Sequence, residues 1–178
     1  MIVFVSGGAR SGKSEVAEQC VIKAAKGGSC YYIATADVFD EEMAARVERH
    51  KASRNARWIT LEAPLAIDAA LAQIPEGAAV LLDCLTLWAS QVRYASELTD
   101  AQGKCLLENA VHAARSQHQH LVLVSNDLNE DLLPNDEETW RYLGFLQGLH
   151  RWLAAEADSV LEVVGGLGIE WKRKETLC

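Results

Sequence analysis

The 178-residue sequence lacks the features of several specialised protein classes. No apolar run approaches the roughly 18 residues that a membrane span needs, so stable membrane insertion is not expected. The N-terminal residues include neither a basic region nor a signal-peptide cleavage site, which makes the cytoplasm the expected location. There are three prolines, and there is no internal repeat or low-complexity tract, so one domain over residues 1–178 is expected.

Cysteine and positive charge are also limited. The five cysteines are odd in number and form no C-x-x-C pair, so they indicate neither a disulfide framework nor a zinc site. Most should be buried thiols; they are Cys20, Cys30, Cys84, Cys105 and Cys178. Lys and Arg total 17 against 25 Asp and Glu, and the net charge of −8 argues against binding to nucleic acid, which needs clustered positive charge. A small-molecule substrate is expected instead.

A phosphate-binding loop stands at the start of the chain. The apolar stretch Met1–Ser6 leads into the pattern G-x-x-x-x-G-K-S, and a segment of helical composition follows. Backbone N–H groups that wrap a phosphate closely favour glycine, and a helix N-terminus favours an anion. The predicted phosphate-binding residues are Gly7, Gly8, Ala9, Arg10, Ser11, Gly12, Lys13 and Ser14. An ordinary glycine-rich turn is the alternative, and the agreement of both flanks disfavours it.

Two side chains of this loop and one acid beyond it have predicted chemical roles. Lys13 should reach the outer phosphate oxygens as a catalytic group, and the Ser14 hydroxyl should bind Mg²⁺. The apolar strand Val80–Asp83 ends in a carboxylate, which is where a P-loop protein places the acid that holds Mg²⁺ directly or through water. A strand-terminal Asp can also simply cap a turn, but the P-loop favours the metal role for Asp83.

Apolar and helical segments alternate along the chain. Strands are predicted at Ile2–Val5, Cys30–Thr35, Ala79–Leu82, Leu121–Ser125 and Val160–Val164, and helices at about residues 13–26, 40–51, 64–73, 99–118 and 136–156. Continuous apolar strands are buried on both faces. The fold class is therefore α/β and P-loop NTPase-like, with a mostly parallel sheet and helices on both faces. Functional residues should follow the carboxyl ends of the strands.

A histidine in a basic segment is a candidate nucleophile. Asp40 can cap a helix on which Met43, Val47 and His50 recur at i, i+4 and i+7. Five basic residues crowd around this histidine and suit an anion pocket: Arg46, Arg49, Lys51, Arg54 and Arg57. A neutral imidazole can attack phosphorus. The alternative is a hydrogen-bonded core histidine in a solvated basic helix.

Three further histidines, His112, His118 and His120, lie close together in sequence and could suggest a metal site. No acidic or thiol partner is placed beside them. A solvated helix end is the favoured interpretation.

Four motifs together resemble one known family. They are Gly7-Gly-Ala-Arg-Ser-Gly-Lys-Ser14, Tyr32-Ile-Ala-Thr35, Asp40-Glu-Glu-Met-Ala-Ala-Arg-Val-Glu-Arg-His50 and Asp83-Cys-Leu-Thr-Leu-Trp88. In this order and spacing they are similar to the bifunctional adenosylcobinamide kinase / adenosylcobinamide-phosphate guanylyltransferase of cobalamin biosynthesis. The resemblance runs from residue 1 to about residue 90, and weaker similarity continues to the end of the chain.

The resemblance implies two reactions, with Mg²⁺ as cofactor. ATP or GTP phosphorylates adenosylcobinamide, and GTP then gives GMP to the resulting phosphate through a guanylylated histidine, which falls on His50. The implied GTP contacts, besides the P-loop, are Thr35, Ala36, Asp37, Lys51, Ala52, Ser53, Arg54, Glu62 and Asp83. The resemblance also implies a homotrimer.

The second half of the chain departs from the family pattern. Ser125–Asn129 stands where the family reads T-N-E-V-G, so Asp127 replaces a glutamate, and the R-x-F-R-D and N-Q patterns are replaced by Trp140–Gly144 and His150-Arg151. Trp140, Tyr142 and Trp152 have a spacing typical of helix core packing, and contact with the corrinoid is the alternative. Two alternative functions remain at this point: a P-loop small-molecule kinase with no covalent step, and a non-catalytic GTP-binding regulatory protein.

Overall fold

A computed structural model describes residues 1–36, 57–128 and 136–174. Seven strands occur within these ranges: β1 (Ile2–Gly7), β2 (Cys30–Ala34), β3 (Trp58–Glu62), β4 (Ala79–Asp83), β5 (His120–Asn126), β6 (Ser159–Val164) and β7 (Leu167–Arg173). The described helices are α1 (Lys13–Ala24), α2 (Ile67–Ala72), α3 (Leu85–Tyr94), α4 (Asp100–Ser116) and α5 (Glu137–Glu156).

The strands form one sheet in the order β3-β2-β4-β5-β1-β6-β7. All neighbours pair in parallel except β7, which runs antiparallel to β6. The P-loop strand β1 therefore lies between β5 and β6, and β5 separates it from β4. This arrangement confirms the predicted mostly parallel α/β sheet.

Apolar side chains cover both faces of the sheet. On one face Val5 and Val124 pack against Val21 of α1. On the other, Ile33 and Leu123 belong to a larger cluster with residues from α2 to α5, including the fully buried Trp88. Burial on both faces explains why the central strands are continuous apolar runs. It leaves the carboxyl ends of the strands as the place for polar chemistry.

Local sequence signals fix the starts of the two longest helices. Thr99 and Gln102 form a reciprocal capping box at the start of α4. Asp136 caps α5, because its carboxylate accepts the backbone N–H of Thr139 at 2.7 Å. Both helices lie close to their predicted ranges, and α2 is shorter than predicted.

Three described elements were not predicted from the sequence. The edge strands β3 and β7 are largely exposed and lack the continuous apolar pattern of the central strands. The third is α3, which begins inside the motif that follows Asp83. The predicted helix at residues 40–51 lies outside the described residues.

The cysteine prediction was only partly right. Cys30 and Cys84 are buried free thiols and Cys20 is half-buried, but Cys105 is exposed on α4. Cys178 lies outside the described residues. Among the described helices, none has the length and apolarity to cross a bilayer.

Candidate active site

The loop between β1 and α1 has the backbone geometry of a phosphate cradle. Gly12 precedes α1 in the left-handed region, at φ 89°, and no side chain caps the helix, so its first N–H groups face outward for an anion. A Cβ at Gly7 would lie 2.5 Å from the Val163 carbonyl oxygen and 2.7 Å from Ser11 Oγ. Glycine is therefore required at position 7 by close approach.

Lys13 and Ser11 show that the loop suits a phosphate. Lys13 is 8% exposed, and its Nζ donates to the Gly8 carbonyl at 3.0 Å. Burial lowers the pKa of Lys13, and the negative charge of Asp83 opposes that shift. Ser11 Oγ is buried without a hydrogen-bond partner among the described residues. A phosphate oxygen would give Ser11 Oγ a partner and would give the Lys13 ammonium an anionic one.

The P-loop borders a cavity of about 410 Å³ lined by Arg10–Glu15 and Glu18. Ser14 stands in its wall on α1, and α1 packs against β4, the strand that ends at Asp83. A hydroxyl and a carboxylate are oxygen ligands of the kind Mg²⁺ prefers, and the ion fills its remaining positions with phosphate oxygens and water. Ser14 and Asp83 therefore fit the predicted metal role.

The carboxyl ends of β2, β3 and β4 bring three predicted GTP contacts to one edge. Thr35 follows β2, Glu62 ends β3, and Asp83 ends β4. Asp83 Oδ2 accepts the Tyr32 hydroxyl at 3.0 Å. Ala36 is the last described residue before the gap.

The hydroxyl and carbonyl groups of Thr35 are hydrogen-bonded within the protein. Its Oγ1 donates to the Cys84 carbonyl at 2.9 Å and lies 2.8 Å from the Cys84 backbone N–H, while the Gln91 side-chain amide donates to its carbonyl. The side chain is fully buried. Thr35 therefore ties the end of β2 to the start of α3, and this tie fixes the backbone beside Asp83.

The motif that begins at Asp83 is mostly structural after its first residue. Cys84 Sγ accepts the Leu87 N–H at 3.4 Å and so caps α3. Burial raises the pKa of this thiol to about 11, so it stays protonated at neutral pH. Trp88 is buried, and its indole N–H donates to the Leu65 carbonyl at 3.0 Å. These contacts position the strand-end carboxylate.

A side-chain network beside the P-loop was missed in the sequence. His150 Nε2 on α5 lies 2.7 Å from Ser125 Oγ at the end of β5, and that oxygen lies 2.9 Å from Thr86 Oγ1 on α3. Thr86 Oγ1 also accepts the Asn126 N–H at 2.8 Å, and its carbonyl accepts the Tyr142 hydroxyl at 2.9 Å. The sequence analysis named His150 only as a difference from the family pattern, and no sequence signal indicated which side chain it would contact.

This network adjoins the phosphate cradle. The Asp127 N–H donates to the Gly7 carbonyl at 2.9 Å, so the end of β5 is attached to the start of the P-loop. Burial lowers the pKa of His150 to about 4, against the opposing charge of Asp127. The imidazole is therefore neutral at physiological pH.

The predictions for the remaining histidines and for three aromatic side chains have different outcomes. No group of three or more potential metal-binding side chains occurs in the described part of the chain, which includes His112, His118 and His120. Tyr142 and Trp152 pack against the core, as expected. The expectation was wrong for Trp140, which is 47% exposed.

Comparison with known proteins decides the family. Residues 3–171 match the family described as "Cobinamide kinase / cobinamide phosphate guanyltransferase". The chain belongs to this family. A relative from Pseudomonas aeruginosa, "Bifunctional adenosylcobalamin biosynthesis protein CobP", is 37% identical over 172 residues, covering 95% of this chain and 96% of the relative. "Bifunctional adenosylcobalamin biosynthesis protein CobU" from Salmonella typhimurium is 31% identical over 184 residues, covering 97% and 100%.

Similar solved structures support the fold. A KaiC-like protein from Pyrococcus horikoshii aligns with a TM-score of 0.54 at 16% identity, covering 99% of this chain and 80% of that one. The flagellar accessory protein FlaH from Methanocaldococcus jannaschii aligns with a TM-score of 0.52 at 11% identity, covering 97% and 78%. At these identities the likeness concerns the fold alone, and it agrees with the predicted P-loop NTPase-like class.

Membership of the cobinamide kinase / cobinamide phosphate guanyltransferase family makes the chain an enzyme with kinase and guanylyltransferase activity in cobalamin biosynthesis. This assignment is favoured over the two alternatives that the sequence left open. Several residues implied by the resemblance lie outside the described residues: Asp37, His50, Lys51, Ala52, Ser53 and Arg54.

Proposed function

We propose that both transfers take place at the carboxyl edge of this single domain, with adenosylcobinamide and its phosphate as acceptors. The observation that carries the proposal is the P-loop cavity, whose Lys13 interacts electrostatically with Asp83 at the end of β4, in a chain of this family. Lys13 and Ser14 stand on the P-loop side, and Asp83 stands at the end of β4.

In the first transfer, ATP or GTP gives its γ-phosphoryl group to the hydroxyl of adenosylcobinamide. The acceptor oxygen forms a bond to the γ-phosphorus, the bond to the bridging oxygen breaks, and a nucleoside diphosphate leaves. Lys13 and the P-loop N–H groups hold the phosphates and offset charge on the transferred group. Ser14 and Asp83 would hold Mg²⁺, which supplies further charge neutralisation when bound.

In the second transfer, His50 acts as the nucleophile. An imidazole nitrogen attacks the α-phosphorus of GTP and expels pyrophosphate, and a phosphate oxygen of adenosylcobinamide phosphate then displaces the imidazole from the held GMP. The basic sequence around His50 supports this role, because positive charge steadies the pentavalent phosphorus in both displacements. We assign Ala36, Asp37, Lys51–Arg54, Glu62 and Asp83 to the bound GTP. The buried Thr35 contributes indirectly, because it holds the end of β2 beside Asp83.

We also propose that the protein is a cytoplasmic homotrimer. The family resemblance supports the oligomer, and so does an apolar surface on the hairpin of β6 and β7. Val164, Leu167, Ile169 and Trp171 are all exposed there. Light scattering after size-exclusion chromatography should give three times the 19.5 kDa chain mass. A monomer would contradict the proposal.

GTP labelled separately at the α- and γ-phosphates tests the covalent step. After incubation with Mg²⁺ and denaturation, α-label should stay on the protein through an alkali-stable, acid-labile bond, as expected for phosphorus bound to nitrogen. His50→Ala should abolish this label, whereas His118→Ala, at an exposed histidine, should retain it. An undiminished adduct on His50→Ala would overturn the assignment of the nucleophile.

A further inference from the structure

The turn between β6 and β7 is fastened to the P-loop. The Gly166 N–H donates to the Ser11 carbonyl at 2.8 Å. A Cβ on Gly12 would lie 3.1 Å from Gly166 Cα, so the two backbones meet at glycines. Both glycines have positive φ, 89° at Gly12 and 81° at Gly166. The hairpin therefore has a defined position relative to the phosphate cradle.

This junction opens into a groove of about 450 Å³ between α1 and the hairpin. The groove shares Gly12 and Glu15 with the phosphate cavity, so the two are adjacent. Beyond them it is lined by Val16, Gln19, Cys20 and Lys23 of α1 and by Gly166. The volume lies within the usual range for small-molecule sites, about 300–1,000 Å³.

The sheet order separates this groove from the other nucleotide contacts. Thr35 follows β2 and Glu62 ends β3, and these strands lie three and four strand positions from β1. At about 4.8 Å per strand these positions are roughly 14 and 19 Å from the P-loop strand. The groove lies on the opposite side of β1, next to β6 and β7, and it begins at the P-loop itself.

We propose that the groove between α1 and the β6–β7 hairpin binds the nucleoside of the phosphoryl donor, a purine nucleoside triphosphate whose phosphates occupy the P-loop. The ends of β2 and β3 then serve the GTP of the guanylyl transfer, so the two reactions use two nucleoside positions. This inference rests on the proposed use of the P-loop for the donor phosphates.

The groove has the chemistry that a nucleoside needs. Val16 and the half-buried Cys20 offer an apolar wall for the face of a base. Gln19 carries an amide that can both donate to and accept from the polar edge of a purine. Glu15, at the junction with the phosphate cavity, can accept a hydrogen bond from a ribose hydroxyl. This mixed lining suits a nucleoside better than inorganic phosphate alone.

A pair of variants on one strand tests the site. A Cβ at Gly168 would lie 3.8 Å from Val16 Cγ1, in ordinary contact, so Gly168→Phe places an aromatic ring against the groove. We expect the Kd for ATP to rise about tenfold or more, a loss that one blocked apolar subsite can cause, while the affinity for inorganic tripolyphosphate stays unchanged. Arg173→Phe, at the exposed far end of β7 and outside both the groove and the apolar surface of the hairpin, is the control and should bind both ligands normally.

A measurement on the unaltered protein makes the test independent of how Gly168→Phe folds. Alkylation of Cys20 and Cys105 is followed by peptide mass spectrometry, with bound ligand established by equilibrium dialysis. Bound ATP should slow the modification of Cys20 at least threefold, with the exposed Cys105 unaffected, and tripolyphosphate should protect Cys20 less.

The outcomes separate this inference from the proposed function. If ATP binds and supports kinase turnover but protects Cys20 no better than tripolyphosphate, and Gly168→Phe binds ATP normally, the groove assignment is overturned and the P-loop function stands. If neither ATP nor tripolyphosphate binds, the proposed use of the P-loop fails, and the groove assignment fails with it.

Discussion

The end of β1 and the end of β5 lie side by side, yet they are held by different means. The P-loop after β1 is built from backbone: its shape depends on Gly7 and Gly12, and on N–H groups that no side chain caps. The end of β5 is held by side chains from three elements, Ser125, Thr86 and His150. Backbone construction leaves a compact motif in the sequence. A side-chain network brings together residues that are distant in the chain and leaves no such motif.

Removal of the P-loop lysine should have the largest effect. Lys13→Ala deletes the buried cation that faces the phosphates, so we expect kcat for phosphoryl transfer to fall about 1,000-fold. Transfer of γ-label to adenosylcobinamide measures it. Lys104→Ala, at a surface ion pair on α4, is the control and should keep full activity. Retained activity in Lys13→Ala would remove the lysine from the mechanism.

An added methyl group should disrupt the P-loop after β1, whose shape depends on close backbone contacts. In Gly7→Ala the new Cβ meets the Val163 carbonyl at 2.5 Å, so the loop or β6 must shift. We expect the free energy of unfolding to fall by about 3 kcal/mol, together with a loss of nucleotide binding. Urea denaturation and equilibrium dialysis measure the two effects. Gly77→Ala is a comparison at a positive-φ glycine with open space around it, and it should cost only backbone strain, about 1 kcal/mol.

Loss of the Ser125 hydroxyl should lower stability at the end of β5, which is held by side-chain hydrogen bonds. Ser125→Ala leaves the His150 nitrogen and the Thr86 hydroxyl without their shared partner inside the protein. The free energy of unfolding should fall by about 2 kcal/mol, as for other buried polar groups left unsatisfied. Ser29→Ala, at an exposed position just before β2, should change it little. Equal urea midpoints for the two variants would show that the network adds no stability.

The smallest effect should appear as a pH dependence. The imidazole of His150 has an ordinary pKa of 6.5, which burial lowers to about 4 in the fold. The unfolded chain therefore binds more protons between these values, and stability falls as the pH drops through this window. His150 should contribute about 1 kcal/mol of this loss between pH 7 and 5.5.

Urea denaturation at both pH values provides the measurement. His150→Asn keeps a polar side chain but has no titration, so its loss of stability over this interval should be smaller by that amount. An identical loss in the two proteins would contradict the buried, neutral state of His150.

The predictable part of the fold was the part set by local patterns. Central strands such as β4 and β5 are continuous apolar runs because both faces are covered, and this pattern was visible in the sequence. The edge strands β3 and β7 are exposed, and their pairing depends on a neighbouring strand rather than on their own composition. The start of α3 was hidden because its cap is a cysteine, an unusual N-cap residue.

The site residues that were predicted from the sequence are likewise those that belong to local motifs. Lys13, Ser14 and Asp83 were predicted because each stands at a fixed offset from a strand or glycine motif. Thr35 was assigned a nucleotide contact through resemblance, and the structure adds that its hydroxyl is engaged with Cys84. His50 stays a prediction, because it lies outside the described residues.

The sequence by itself determined the phosphate-binding loop, the α/β class and the family, because each depends on residues that are consecutive or regularly spaced. Only the tertiary structure decided that β5 lies between the P-loop strand and Asp83, that His150 meets Ser125, and that the β6–β7 turn contacts Gly12. These relations join elements distant in sequence. They are fixed by strand order and by the packing of helices on the sheet, which a single chain pattern does not specify.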